Sequence, residues 1–267
     1  MKQIDGIGLP DVQNVYGGPE GQLWELIMGR QVHIGGFQSS MDLAERAGIR
    51  AGTEGVDLCC CTGGGMRFLV RYRGVRRMTG VDATPAVVEL GRQRCREDGS
   101  ADKIRFVLAD VCNSGLPDAS ADFVWGEDAW CYVVDKPRLI AEAARMVKPG
   151  GLIAFTDWIE GPAGLSDQEA ARYMKFMKFP NVQDLGGYSE LLARSGCRVL
   201  KAEDTGRFAP YVDLYINMLT MQLTSDALRI IGHDMALMQA MGGEMEFMRQ
   251  LAHAGKIAQG LFAAVRK

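Results

Sequence analysis

The sequence lacks any apolar run long enough to cross a membrane, and it has little excess charge of either sign. Its longest uncharged interval, LYINMLTMQLTS between Asp213 and Asp226, is much shorter than the ~20 apolar residues that a spanning helix requires. The start, MKQIDGIGLP, contains no apolar signal core. Lys and Arg number 30 against 33 Asp and Glu, a formal net charge of -3, which offers no broad basic face to nucleic acid. We expect a cytoplasmic protein that binds neither nucleic acid nor a membrane.

Cysteine spacing of the disulfide or CxxC type is also absent. The seven cysteines are Cys59, Cys60, Cys61, Cys95, Cys112, Cys131 and Cys197. Reduced thiols are therefore expected, and a disulfide scaffold is excluded. No internal repeat, low-complexity segment or Pro/Gly/Ser linker divides the 267 residues, so one α/β domain with a cap is the natural interpretation. The sequence identifies no interface, and a homo-oligomer is left open.

From residue 55 onward, short apolar runs alternate with longer segments of helical period. This alternation is typical of βαβ units that build a mostly parallel sheet. One helix is predicted to begin at Thr84 and Pro85, and another to run over residues 137–147 and end at the sequence KPGG. Seven strands are predicted, at residues 56–60, 78–82, 104–108, 123–126, 152–157, 198–203 and 260–265.

The last two predicted strands are separated by a long Met-rich segment with a helical pattern. A structureless loop of that length would be unusual. We therefore predict helices over residues 211–256 that cap one end of the sheet, with the segment before residue 50 as the other part of the cap. The predicted organisation is a helical cap segment at 1–50 and a domain at 51–267 with a helical insertion at about 207–258.

Acidic residues lie at the ends of four predicted strands, at the edge where an open parallel sheet binds ligands. Asp57 precedes the loop CCCTGGG, which contains Gly63, and Asp82 follows 25 positions after Asp57 in TGVDAT. Asp110 and Glu127 follow the next two predicted strands, within the motifs LADV and VWGED. The loop is not GxGxxG and contains no Lys or Arg, which disfavours a dinucleotide. Each acid alone could cap a helix, but together they favour an adenosine-bearing ligand without phosphates.

With these motifs in this order, residues 56–157 resemble the class I S-adenosylmethionine-dependent methyltransferases. The matching segments are VDLCCCTGGG, GVDAT, LADV, FVWGEDAW and MVKPGGLIAFTDW. The resemblance implies an α/β fold with a doubly wound, mostly parallel seven-stranded sheet, a helical cap, and S-adenosyl-L-methionine as cofactor. It implies that Gly63 and its neighbours border the methionine part, that Asp82 binds ribose, that Asp110 and Val111 contact adenine, and that Glu127 borders the sulfonium. The implied cofactor-binding residues are Asp57, Cys59, Cys61, Gly63, Asp82, Ala83, Asp110, Val111 and Glu127.

A narrower resemblance lies outside this core. The segment IMGRQVHIGGF, residues 27–37, is similar to a substrate-side signature of the glycine, sarcosine and dimethylglycine N-methyltransferases and of some related small-molecule C-methyltransferases. Residues 179–206 are similar in layout to the same group. This resemblance implies a small-molecule methyl acceptor as the partner.

The cofactor loop departs from the family pattern. Cys59 and Cys61 stand where the D-x-G-x-G-x-G pattern of the family has glycines, which adopt unusual dihedrals more freely. Together with Cys112 and Cys131, their thiols could converge on a soft metal or arsenic(III), or support thiol chemistry. Buried inert cysteines are the simpler alternative, and no metal site is predicted.

Methyl transfer from a sulfonium needs an aligned acceptor and, when the acceptor must lose a proton, a base. His33, inside the signature segment, is the predicted base or orienting residue, with a hydrogen-bonded structural histidine as the alternative. An aromatic substrate wall is predicted after the fourth and fifth strands, with packing in the cap as the alternative, and it consists of Trp130, Tyr132 and Trp158. Residues assigned to a substrate carboxylate by position alone are Arg207, Tyr211 and Tyr215.

The first hypothesis is an S-adenosylmethionine-dependent methyltransferase that acts on the amine nitrogen of a small molecule of the glycine betaine type. The second keeps the fold and the cofactor but methylates carbon, sulfur or arsenic. The third is a non-catalytic thiol- or metal-binding protein whose altered loop has lost productive cofactor binding.

Overall fold

Strands and helices alternate along most of the chain, which the computed structural model describes over residues 1–267. The strands are β1 Lys2–Gln3, β2 Glu54–Leu58, β3 Arg77–Asp82, β4 Ile104–Leu108, β5 Ala121–Glu127, β6 Val147–Glu160, β7 Asn181–Val182, β8 Cys197–Asp204 and β9 Ile257–Arg266. The helices are α1 Leu9–Tyr16, α2 Pro19–Met28, α3 Gly36–Ala47, α4 Gly64–Tyr72, α5 Pro85–Glu97, α6 Lys136–Met146, α7 Asp167–Met177, α8 Leu185–Arg194, α9 Phe208–Met221, α10 Thr224–Ile230 and α11 Met235–His253, with a 3-10 turn at Trp130–Tyr132.

Seven strands form one sheet in the order β4-β3-β2-β5-β6-β9-β8, and β1 pairs with β7 separately. All neighbours are parallel except at β9, which runs antiparallel to both β6 and β8. Strand order reverses between β2 and β5, so a crevice opens at the carboxyl ends of these two strands. The predicted doubly wound, mostly parallel seven-stranded sheet is confirmed.

Two predicted boundaries are wrong for local reasons. Strand β2 ends at Leu58 instead of residue 60, because Cys59 turns into the left-handed region with φ 60°. The sequence KPGG does not separate α6 from the next strand. Val147 already pairs with Ala121, and a register shift before Phe123 accommodates the turn, in which Gly150 has φ 76°.

Apolar side chains alternate between the two faces of the sheet, and each face is covered by helices. On one face, Val124 and Phe155 pack with Leu139 of α6 and with α8. On the other, Trp125 and Ala154 pack with α3, α4 and α5. The central strands β2, β5 and β9 are therefore mostly buried on both faces, and the strand ends are left as the place for polar groups.

A third apolar cluster joins the N-terminal helices to the inserted helices. Trp24 and Ile27 of α2 pack in it with Val212 of α9 and Met248 of α11. The two parts of the cap, which lie far apart in sequence, thus share one core. None of the helices combines the length and the hydropathy needed to cross a membrane.

Candidate active site

A crevice of about 240 Å³ opens at the carboxyl ends of β2, β3, β4 and β5, beneath α1 and the segment before α3. It is lined by most of the residues that the sequence predicts. These are His33, Asp57, Cys59, Cys61, Asp82, Ala83, Asp110, Val111, Glu127 and Tyr132.

The aromatic wall predicted from the sequence is wrong in two of its three residues. Trp130 is fully buried below the crevice, where its indole N–H donates to the Leu58 carbonyl at 3.2 Å and its ring stacks on Phe155. Trp158 packs edge-on against two phenylalanines of the cap core. Only Tyr132 reaches the crevice, and its hydroxyl accepts a hydrogen bond from the Tyr16 hydroxyl at 2.9 Å.

The residues assigned to a substrate carboxylate also lie elsewhere. Arg207 donates to the Asp42 carboxylate, and the Tyr215 hydroxyl accepts from the backbone N–H of Gly35 at 3.2 Å. Tyr211 packs against the cap core beside Tyr215. Arg207 and Tyr215 thus hold the cap to α3 and to the segment before it, and none of the three side chains lines the crevice, contrary to the prediction.

Gly63 does not line the crevice either. It precedes α4 in the left-handed conformation, with φ 76°, and a Cβ there would meet Phe106 at 2.8 Å and Met66 at 2.9 Å. The positive φ and the close packing against Phe106 and Met66 explain why a glycine occupies position 63. The next two glycines, Gly64 and Gly65, present bare backbone to the crevice instead.

The loop CCCTGGG after β2, called the cysteine loop below, has at two of its cysteines the backbone conformation for which glycine is suited. Cys59 has φ 60° and Cys61 has φ 48°, in the region that costs an L-residue roughly 1–2 kcal/mol. Both thiols line the crevice with Cys112, whereas Cys131 is fully buried away from it. The predicted convergence of four thiols is therefore wrong, and no group of His, Cys, Asp and Glu side chains is arranged to hold a metal ion.

Burial keeps these thiols protonated. It raises the pKa of Cys61 to about 12, with the Asp82 charge acting in the same direction. It also raises the pKa of Cys112 to about 12 and that of Cys59 well above its ordinary value. Because the thiolate is the form that reacts and binds metals, the raised pKa values of these thiols disfavour both of those roles.

Two carboxylates at strand ends are oriented by backbone N–H groups. Asp82 accepts from Cys61 and from Thr84, each at 2.9 Å, and this ties the end of β3 to the cysteine loop. Asp110 accepts from Cys112 at 2.9 Å in the turn after β4. With its backbone bonds made, each carboxylate has acceptor capacity left for a ligand that enters the crevice.

The crevice is strongly acidic. Burial raises the pKa of Asp57 well above its ordinary value, and the charges of Glu127 and Asp82 add to that effect. The wall holds six carboxylates and two guanidinium groups: Asp57, Asp82, Asp110, Glu127, Asp128 and Asp135, with Arg30 and Arg138. A cationic ligand is therefore favoured over an anionic one.

His33 stands beside Glu127 in a buried polar group. Its Nε2 lies 3.3 Å from Glu127 Oε1 and 3.2 Å from the hydroxyl oxygen of Ser40. Ser40 donates to Glu127 Oε1 at 2.6 Å. The position of Glu127 depends on Gly65, because a Cβ at that glycine would lie 2.4 Å from Glu127 Oε2.

Sequence reasoning missed Asp128, which joins three distant parts of the chain. Its carboxylate accepts from the Ile34 backbone N–H at 2.8 Å and from Gln259 of β9 at 2.8 and 3.0 Å. Asp128 also has φ 51°. Its place directly after Glu127 was an available signal, whereas nothing in the sequence pairs it with a glutamine 131 positions away.

Two further contacts tie the cap to the crevice. Gln13 of α1 donates to the Ala83 carbonyl at 2.7 Å. Arg94 of α5 binds both oxygens of Glu25 in α2, at 2.6 and 2.9 Å, and also donates to the Thr62 hydroxyl of the cysteine loop at 3.0 Å. The first contact reaches Ala83, a predicted cofactor-binding residue, and the second reaches the loop that contains Cys59 and Cys61.

A buried Lys136 supports the turn that carries Tyr132. Its ammonium group donates to the carbonyls of Val133 and Asn181 at 3.2 and 3.1 Å. Asp157 accepts from the Cys131 backbone N–H at 3.0 Å and from a tyrosine hydroxyl of α8. The charges of Lys136 and Asp157 oppose the effect of burial on both groups.

The chain is similar to several methyltransferases. Residues 56–155 match a family model described as a methyltransferase domain. Phosphoethanolamine N-methyltransferase 1 of Zea mays is 24% identical over 192 residues, which is 72% of this chain and 36% of the relative. A sterol 24-C-methyltransferase of Eremothecium gossypii is 30% identical over 139 residues, which is 52% of this chain and 35% of the relative.

Among solved structures, a Galdieria sulphuraria protein described as a candidate sarcosine dimethylglycine methyltransferase has a TM-score of 0.83 at 22% identity. The match covers 96% of this chain and 98% of that one. Residues 56–155 are thus similar to a methyltransferase domain, and the whole chain shares the fold of that solved structure, in line with the resemblance seen in the sequence. The chain matches only 34–36% of the length of the first three curated relatives.

Proposed function

We propose that this chain transfers a methyl group from S-adenosylmethionine to a small molecule. The observation that carries the proposal is the convergence of Asp57, Asp82, Asp110 and Glu127 on one crevice at the reversal of strand order. Four separate strand ends supply these carboxylates, so their meeting is a product of the fold and not of local sequence.

The donor groups of the crevice fit this cofactor. Asp82 is held by two backbone N–H groups and retains lone pairs for the two hydroxyls of a ribose. Asp57 and Glu127 lie where an ammonium and a sulfonium would relieve the mutual repulsion of their charges. The cysteine loop contains no Lys or Arg that would bind a phosphate group. When bound, the cofactor supplies an electrophilic methyl group on sulfur.

The residues of the chain would then align the acceptor and exclude water. Helix α1 covers the crevice through the bond from Gln13 to Ala83, and Tyr16 closes one wall with Tyr132. His33 lies in the crevice wall with its Nε2 3.3 Å from Glu127 Oε1, and we assign it the proton of the acceptor. No nucleophilic side chain is required for a direct displacement.

We propose nitrogen as the acceptor atom. The Tyr16 and Tyr132 rings, 5.4 Å apart and nearly perpendicular, line the crevice beside its acidic wall, and an aromatic face attracts a methylated ammonium. The relatives named for phosphoethanolamine and for sarcosine and dimethylglycine support the same choice. The sterol 24-C-methyltransferase supports carbon as the second candidate.

Calorimetry on the reduced protein tests the cofactor, with Asp82→Ala as the variant. We expect the wild type to bind S-adenosylmethionine and the substitution to weaken binding at least about tenfold, because charged hydrogen bonds contribute about 1.5–3 kcal/mol. Failure of the folded wild type to bind would refute the methyltransferase proposal.

A mass-spectrometric screen for methyl gain then tests the acceptor atom. The screen begins with glycine derivatives and other small amines and continues with alkenes and thiols. Methyl gain on amines alone supports nitrogen. Methyl gain on carbon or sulfur alone would replace it with the second candidate.

A further inference from the structure

His33 has one ring nitrogen tied to the protein and one without a partner. Its side chain is 3% exposed and forms part of the crevice wall. Nε2 is engaged with Ser40 and Glu127, whereas Nδ1 is buried and has no hydrogen-bond partner in the chain. A buried polar atom left unsatisfied lowers stability, so Nδ1 of His33 calls for a partner from outside the chain.

The Ser40 hydroxyl fixes which ring nitrogen carries the proton. A hydroxyl has one proton to donate and two lone pairs with which to accept. Ser40 donates to Glu127 Oε1 at 2.6 Å and accepts from the Gln31 amide at 3.0 Å. One lone pair remains for His33, 3.2 Å away, so Nε2 is the donor N–H. The neutral ring is therefore the Nε2–H tautomer, and Nδ1 has a bare lone pair.

We propose that Nδ1 of His33 accepts a proton from the methyl acceptor and that Ser40 and Gln31 position the ring for this step. The inference rests on the proposed function and deepens it, because it names the proton-accepting atom and two positioning residues. It also restricts the acceptor to a molecule that enters with a proton on the reacting nitrogen, such as a protonated amine.

The step balances in protons and electrons. The N–H bond of the protonated amine breaks, the proton moves to Nδ1, and the nitrogen keeps the electron pair. That pair forms the bond to the methyl carbon as the carbon–sulfur bond breaks, with its electrons left on sulfur. Glu127, 3.3 Å from Nε2, stabilises the imidazolium, which returns its proton to solvent.

Imidazole NMR tests the tautomer without any need for turnover. The chain has three histidines, His33, His233 and His253, so a long-range proton–nitrogen correlation spectrum of the labelled protein is simple. Loss of signals in His33→Gln assigns His33. In the neutral ring of the wild type we expect a protonated Nε2 and a bare Nδ1. A protonated Nδ1 would overturn the proposal.

Ser40→Ala and Ser39→Ala form a matched pair. Both serines are fully buried in α3, but the Ser39 hydroxyl contacts Gln259 at 3.5 Å and not His33. Ser40→Ala should yield a mixture of tautomers and lower kcat about tenfold at nearly constant KM, whereas His33→Gln should lower kcat about 100-fold or more. Ser39→Ala should keep the wild-type tautomer and rate.

The outcomes separate this inference from the proposed function. If the folded protein methylates no acceptor, the proposed function fails and the proton-accepting role of His33 fails with it. If methyl transfer occurs but Ser40→Ala matches Ser39→Ala in tautomer and in kcat, the positioning role of Ser40 is refuted while the methyltransferase function stands.

Discussion

The side-chain amide of Gln259, on strand β9, donates to both carboxylate oxygens of Asp128, at 2.8 and 3.0 Å. The same amide donates to the Ile34 carbonyl at 3.1 Å, and the Ile34 N–H donates to Asp128. One glutamine therefore connects the end of β5 with the segment that carries His33.

Gln259→Leu should destabilise the protein by about 2–3 kcal/mol, because it leaves the buried Asp128 carboxylate with the Ile34 N–H as its remaining close donor. Urea unfolding measures this change. Gln250→Leu is the control, since Gln250 is exposed on α11 and contacts Glu246 at 3.3 Å. Equal unfolding free energies for the two variants would show that the Asp128 network contributes little.

Glycine at position 59 or 61 should stabilise the loop. Each cysteine has a positive φ, which costs an L-residue roughly 1–2 kcal/mol of stability. Glycine removes this cost, but its greater freedom in the unfolded chain lowers the stability by about 0.5–1 kcal/mol. The net stabilisation is therefore roughly 0.5–1 kcal/mol. The comparison is with Cys60→Gly, a buried neighbour without positive φ, which should lose stability. A loss of stability in Cys59→Gly and Cys61→Gly would contradict the strain argument.

Gly65→Ala should damage function more than folding. The new Cβ would lie 2.4 Å from Glu127 Oε2 and 3.0 Å from the indole nitrogen of Trp125, so the carboxylate at the end of the Glu127 side chain is the group that must move. Displacement of this group should lower kcat/KM about 100-fold, with the unfolding free energy within about 1 kcal/mol of wild type. Gly243→Ala in α11, where a Cβ meets nothing within 4 Å, is the helical control and should keep full activity.

Asp157 should make stability depend on pH. Burial raises its pKa from 3.8 to about 6, despite the opposing charge of Lys136. The native state therefore holds this proton more tightly than the unfolded chain, so its contribution to the unfolding free energy falls as the pH rises from about 4 to about 6. The total fall is up to roughly 3 kcal/mol.

Urea unfolding of Asp157→Asn between about pH 4 and pH 6 checks this. The unfolding free energy of the variant relative to wild type should increase with pH across that window. Asp102→Asn, at an exposed position, should show no such trend. Burial also lowers the pKa of Lys136 to about 8, so the native state binds that proton less tightly than the unfolded chain does. The contribution of Lys136 to the unfolding free energy therefore rises with pH above about 8.

The acids of the crevice were predictable because strand ends can be read from the sequence. Asp82 and Asp110 follow apolar runs, and parallel strands bring their carboxyl ends to one edge. The direction of a large side chain was not predictable in the same way. Trp130 follows β5 as Tyr132 does, yet the 3-10 turn sends its indole back under Leu58 while Tyr132 faces the crevice.

The polar group around His33 illustrates a second limit. Ser40 lies seven positions after His33 but reaches it only because Gly35 and Gly36, both with positive φ, turn the chain into α3. Periodicity places Ser40 in a helix and says nothing about its partner. Its contact with Glu127 spans 87 positions and exists only once the sheet has formed.

The place of β9 in the sheet has a consequence for synthesis. This strand follows both β6 and β8 in the sequence, yet it fills the gap between them in the sheet. Until residues 257–266 emerge, β6 and β8 each lack a neighbour and Asp128 lacks Gln259. The nascent chain thus carries two unpaired strand edges until β9 has been made, and the Asp128 side of the crevice is completed only after that strand docks.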